Sequence, residues 1–130
     1  MGGMFWYATL FNGDISSWDV SSVYNMGAMF FYATSFSGNV SKWDVSSVID
    51  MSHMFFFATS FSGDLKSWDV SSVTIMSRMF YKAESFSGDI STWNVSSAIY
   101  MHGVFDKDLA KRASLPEKMR DYPSLVEDIW

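Results

Sequence analysis

The chain has 130 residues, of which 48% are apolar, 18% aromatic and none cysteine. That is material for one folded domain but not for disulfides or thiolate metal sites. A net charge of −5 at pH 7 excludes most nucleic-acid binders, because phosphates require a basic face. No apolar run approaches the ~20 residues of a membrane-spanning helix, and no cluster of Lys and Arg marks an anionic membrane surface.

The chain opens with MGGMFWYATLF, which lacks the basic start and cleavage site of a secretory signal. From there a 25-residue period governs everything to residue 105. SWDVSSV stands at 17–23, KWDVSSV at 42–48, SWDVSSV at 67–73 and TWNVSSA at 92–98. A strict period of this length is the signature of stacked units that bury a shared core. Met4, Met29, Met54 and Met79 form one column, followed by Phe5, Phe30, Phe55, Phe80 and Phe105. Ala8, Ala33, Ala58 and Ala83 form another, as do Phe11, Phe36, Phe61 and Phe86. Met1-Gly2-Gly3 begins directly within a unit, so one face of the first coil is expected to be bare. That predicts preceding residues, self-association or a partner.

Within the unit, Met26, Met29, Phe30 and Ala33 follow i, i+3, i+4, i+7, and Phe36 extends the stripe. This spacing predicts a short amphipathic helix. Ser37-Gly38-Asn39 then makes a turn, and Val40, Trp43, Val45 and Val48 read as bent extended chain. Stacked copies would lie ~4.8 Å apart, with the tryptophans as an aromatic ladder. Asp19, followed by Ser21 and Ser22, suits an Asx turn in which the carboxylate receives backbone N–H groups.

On the predicted helix Phe31 lies roughly 150° from the centre of the buried stripe, at ~100° per residue. Its row, Trp6, Phe31, Phe56 and Tyr81, is therefore expected to form an exposed aromatic strip, with Tyr7, Tyr32 and Phe57 beside it. Such a strip is the candidate partner-binding surface. The alternative is that the rings lean over between neighbouring helices and are partly covered.

From Asp106 the repeat gives way to DKDLAKRASLPEKMRDYPSLVEDIW, with six acids, five bases and both prolines. Asp106 is placed to cap a helix running to about Ala113, and Pro116 and Pro123 suit early helical positions. Leu109, Leu115, Met119, Leu125, Val126, Ile129 and Trp130 offer apolar contacts for a cap over the last coil. The expected organisation is a repeat solenoid over 1–105 and a helical cap or tail over 106–130.

Chemistry is sparse. Asp14, Asp64 and Asp89 share a column with Asn39, and Asp19, Asp44 and Asp69 share one with Asn94. The ligand-dense Gly-Gly-x-Gly-x-Asp pattern of calcium-binding β-rolls is absent, so no metal or cofactor is expected. His53 and His102 stand in different columns without a nucleophile or ligand set, and no catalytic residue is expected. Asn39-Val40-Ser41 and Asn94-Val95-Ser96 match the glycosylation pattern.

The unit MFFYATSFSGNVSKWDVSSVIDMSH, residues 29–53, resembles the BspA-like leucine-rich-repeat surface proteins, in the branch with an MFxxAxxFNxDISxWDVSxVTDM unit. The likeness extends over residues 1–105. It implies an α/β solenoid, a right-handed leucine-rich-repeat-like coil of about four units used for adhesion or protein–protein contact, commonly at a cell surface. The family brings no catalytic residues. This chain departs from it where Phe36-Ser37, Phe61-Ser62 and Phe86-Ser87 replace Phe-Asn, and where aromatic residues follow Met-Phe. The expected role is a non-enzymatic binding module for a protein partner. The alternative is a small accessory or scaffold subunit permanently docked in a larger, perhaps membrane-bound, complex.

Overall fold

A computed structural model describes residues 1–120 and the backbone of 126–127. Through the repeats the chain is a succession of four-residue turns. In the second unit the Met29 N–H donates to the Met26 carbonyl, Phe31 to Ala28, Ala33 to Phe30 and Phe36 to Ala33. Trp43 N–H closes a turn on Val40, and Val48 on Val45.

The alternate N–H groups leave the unit altogether. Ala28 N donates to the Ser52 carbonyl at 2.7 Å, Phe30 N to Met54 at 2.9 Å and Tyr32 N to Phe56 at 2.8 Å. The first unit reaches the second in the same way, through Gly3, Phe5 and Tyr7, and the third reaches the fourth through His53, Phe55 and Phe57. A return set runs at the unit boundary, where Ile49 N and Asp50 N donate to the Tyr24 carbonyl. Isolated parallel bridges there join Asn25 to Asp50, Asp50 to Ile75 and Ile75 to Tyr100. Successive units therefore lie side by side in parallel register, one 25-residue step apart.

The helix expected over 26–36 does not form, nor its equivalents in the other units. Stacking is the reason. The Phe30, Phe55 and Phe80 ring centroids are 5.5 and 5.7 Å apart, and Tyr7 and Tyr32 are 4.8 Å apart on the other side of the same turns. A helix needs ~10 Å of width and all of its own N–H groups. A layer of about 5 Å has neither to give. Turns satisfy the same apolar spacing, because alternate donors can serve the neighbour while Met26, Met29, Phe30, Ala33 and Phe36 still point inward, all fully buried. The bent strand expected over 40–48 is likewise two turns.

The turns carry a backbone cost. Ala28, His53 and Arg78 adopt positive φ of 54–56°, and so do Tyr7, Tyr32, Phe57 and Lys82 at 54–57°. Left-handed conformations are unfavourable for side chains by about 1–2 kcal/mol each. Gly3 and Gly103 occupy the first of these two columns at its ends. The inter-unit hydrogen bonds hold the other residues there.

Phenylalanines fill the centre. Phe30 and Phe36 stack at 4.1 Å within one unit, as do Phe55 and Phe61, and both columns continue from unit to unit. The glycine two residues beyond each outer ring makes room for it: a Cβ on Gly38 would stand 2.7 Å from the Phe36 ring. The tryptophan ladder is built through hydrogen bonds to the unit before. Trp43 Nε1 donates to the Ile15 carbonyl at 3.1 Å, Trp68 to Val40 at 2.9 Å and Trp93 to Leu65 at 3.0 Å.

Beyond the repeats, β1 (Phe105–Asp106) pairs in parallel with β2 (Val126–Glu127). The helix α1 spans Lys107–Arg112 and α2 spans Glu117–Arg120. Asp106 caps α1, its Oδ1 accepting from Asp108 N and Leu109 N at 3.0 Å. Its Oδ2 accepts from Lys82 N at 2.8 Å, so one buried carboxylate ties the cap to the fourth unit. Leu109 and Met119 enter the core and Leu115 packs against it. Pro123 and the side chains of Leu125, Val126, Ile129 and Trp130 lie outside the described residues. No helix among the described residues is long and apolar enough to cross a membrane.

Candidate interaction surface

The expected strip resolves into two adjacent rows with different fates. In the first, Trp6 is 58% exposed and Phe31 is partly covered, but Phe56 is down to 6% and Tyr81 to 1%. An exposed strip running through all four residues is therefore incorrect. The helical wheel placed these side chains on a helix that does not exist. In the observed turns, Phe31 and Phe56 stack at 4.7 Å and Phe56 and Tyr81 at 5.4 Å, each ring shielding the next. The His53 ring adds cover, 6.1 Å from Phe31 and 5.5 Å from Phe56.

The second row stays at the surface. Tyr7 is exposed, and Tyr32 and Phe57 are partly so. These residues occupy the second positive-φ column, which turns them outward together. Tyr7 and Tyr32 stack at 4.8 Å, Tyr32 and Phe57 at 4.7 Å, with ring planes within 5°. Lys82 ends the row, its Nζ 5.8 Å from the Tyr81 ring centroid. The accessible surface is thus Trp6, Tyr7, Phe31, Tyr32 and Phe57, with Phe56 and Tyr81 as its floor.

Sequence reasoning missed a second exposed apolar line. Tyr24, Ile49 and Ile99 share a column, Tyr100 adjoins its end, and all four are exposed. The signal was available in the two-residue gap between the inward Val and Met columns, whose second position is Asn25 or Asp50 in two of the units. Leu10, at the tip of the first unit, is also exposed.

The acidic columns serve the turns. Asp19, Asp44 and Asp69 each accept the N–H and the hydroxyl of the serine two residues on, with Oγ–Oδ1 distances of 2.5–2.6 Å. Asp89 does the same with Ser91. Hydrogen bonds from the serine hydroxyl and then its N–H hold the carboxyls of Asp14, Asp19, Asp44, Asp69 and Asp89 below the usual range. Asn94 makes the backbone bond without a charge, accepting from Ser96 N at 3.0 Å. Among the described residues no three His, Asp or Glu side chains converge as a metal site.

The pattern of a known repeat family, described as "Mycoplasma protein of unknown function, DUF285", matches residues 1–117. The chain belongs to the DUF285 family. No curated protein and no solved structure matches it. The DUF285 match takes in all four units, both aromatic rows and the whole of α1.

Proposed function

We propose that this DUF285 chain is a short solenoid of the BspA-like, leucine-rich-repeat-like kind, a right-handed stack acting as a non-enzymatic protein–protein interaction or adhesion module, with a cell surface as its setting. The parallel 25-residue hydrogen-bond register supports the stacked architecture. The observation that carries the binding role is the row Tyr7, Tyr32 and Phe57, held outward by positive φ and flanked by Trp6 and Phe31. Aromatic side chains fixed in place offer a large contact area at little cost in side-chain entropy, which is the chemistry of interface anchors.

The test is a photo-crosslinking residue at Tyr32 in cells producing the protein, compared with one at Asp44 on the acidic column. A discrete adduct from position 32, lost when Phe57 is replaced by Ser, is expected. Equal labelling from both positions would discard the reading. Native mass after gentle extraction separates two forms of it: a stable particle well above 14.8 kDa is a permanent subunit, and the bare mass a transient binder.

A further inference from the structure

We infer that Tyr7 and Tyr32 form an oxidative modification site, two phenols placed so that a one-electron oxidant joins them as an intramolecular dityrosine between the first unit and the second. The inference concerns the chemistry between two rings of the outward row and holds whatever that row binds.

Tyr7 and Tyr32 occupy one column a single period apart, with ring centroids 4.8 Å apart and planes within 5°. Their backbones are fixed, both at φ 55°, and each N–H donates at 2.8 Å to the next unit, at the carbonyls of Phe31 and Phe56. Neither hydroxyl bonds to a described residue, so both rings can pivot about their side-chain torsions and bring their outer edges together. Tyr32 is stacked on both sides, by Tyr7 and by Phe57, and is still partly exposed. The outer edge of this column therefore meets solvent inside the stack as well as at its end.

No other tyrosines among the described residues are paired in this way. Tyr81 is buried and packs on Phe56 and Phe57. Tyr24 and Tyr100 are exposed but stand three units apart. Phe57 and Lys82 take the next positions of the column, so a radical on Tyr32 has Tyr7 as its one phenol neighbour among the described residues.

A one-electron oxidant takes an electron from each ring, and each hydroxyl proton passes to water, leaving two phenoxyl radicals. Their unpaired density lies partly on the ring carbons beside the C–O bond. Two such carbons, one from each ring, form the new C–C bond. Each ring then moves the hydrogen on that carbon to its oxygen and regains its aromaticity. With hydrogen peroxide as the terminal electron acceptor, two phenols and one peroxide give one biphenol and two waters. Radicals held one layer apart combine far faster than radicals that must diffuse together. The bond spans one 25-residue period, and closing that loop in the unfolded chain stabilises the join between the two units.

The experiment treats the dilute full chain with a peroxidase and hydrogen peroxide, and runs N-acetyltyrosine amide in parallel to show that the oxidant is active. The expected product is a monomer lighter by two hydrogen atoms and carrying dityrosine fluorescence. Proteolytic mapping should recover fragments joined through Tyr7 and Tyr32. Tyr7→Phe and Tyr32→Phe keep the stack, as Phe57 already does, and each should lower the yield of monomeric dityrosine at least tenfold. Unfolding the chain in urea before oxidation should do the same. Three results overturn the inference. One is dityrosine that chiefly joins separate chains through Tyr24 or Tyr100. Another is a product between Tyr7 and Tyr32 that survives urea undiminished. The third is a native chain that stays uncoupled while N-acetyltyrosine amide couples.

Discussion

Replacing Trp68 by Phe isolates the bond that links one unit to the carbonyl of the unit before it. The indole is buried, and its Nε1 donates at 2.9 Å to the carbonyl of Val40, itself buried. Phe retains the stacking against Phe55 but removes one of the two donors to that carbonyl, which keeps the Trp43 N–H at 3.1 Å. The net contribution of one such hydrogen bond is about 0.5–1.5 kcal/mol. The smaller ring gives up on the order of 40 Å² of buried apolar surface, about 1 kcal/mol more. The expected loss is about 1.5–2.5 kcal/mol. At a slope of ~2 kcal/mol per molar urea, the unfolding midpoint falls by roughly 1 M. Trp18→Phe is the matched control. Its indole is 39% exposed and its Nε1 has no acceptor among the described residues, so the loss should stay under ~0.5 kcal/mol. Urea unfolding followed by circular dichroism reads both. Equal losses at the two positions, or a Trp68 loss within the control's range, would refute the reasoning that the indole bond fastens the units together.

Asp106→Ala removes the cap of α1 and the acceptor for Lys82 N, and the sum of a lost cap and a buried orphan donor is about 2–4 kcal/mol. Amide exchange at Lys82 should accelerate in step with the loss of stability; protection retained there would contradict the shared-carboxylate geometry. Acidification should destabilise the protein through Asp14, Asp19, Asp44, Asp69 and Asp89, whose folded pKa values lie below the ordinary 3.8. A depressed folded pKa contributes stability above the unfolded value, lost as pH falls through the folded one, so the melting temperature should drop below about pH 4. Asp69→Asn, which copies the uncharged cap of Asn94, should make that drop shallower; an unchanged pH profile would show that the serine bonds do not persist in solution.

Much was legible before any coordinates. The inward columns of Met, Phe, Ala, Trp and Val are legible in their recurrence, because any unit stacked on a copy of itself must bury the same positions each time. The Asx turns at Asp19 and its equivalents were readable too, since they need only two residues of local chain. Asp106 is legible as a helix cap for the same reason. The aromatic strip was half right: Trp6, Tyr7, Phe31, Tyr32 and Phe57 reach the surface, while Phe56 and Tyr81 do not.

What the sequence by itself determined is the period, and with it the core columns of Met, Phe, Ala, Trp and Val and the Asx caps of the turns. What only the tertiary structure decided is the conformation between those points. Spacings of i, i+3 and i+4 are compatible with a helix or with linked turns, and the choice rests on where the N–H groups go. Here a neighbouring unit about 5 Å away takes every second one, so the helix is lost, the left-handed residues are held in place, and the rings of one row cover one another. That contest is settled between residues 25 positions apart, beyond the reach of any local pattern.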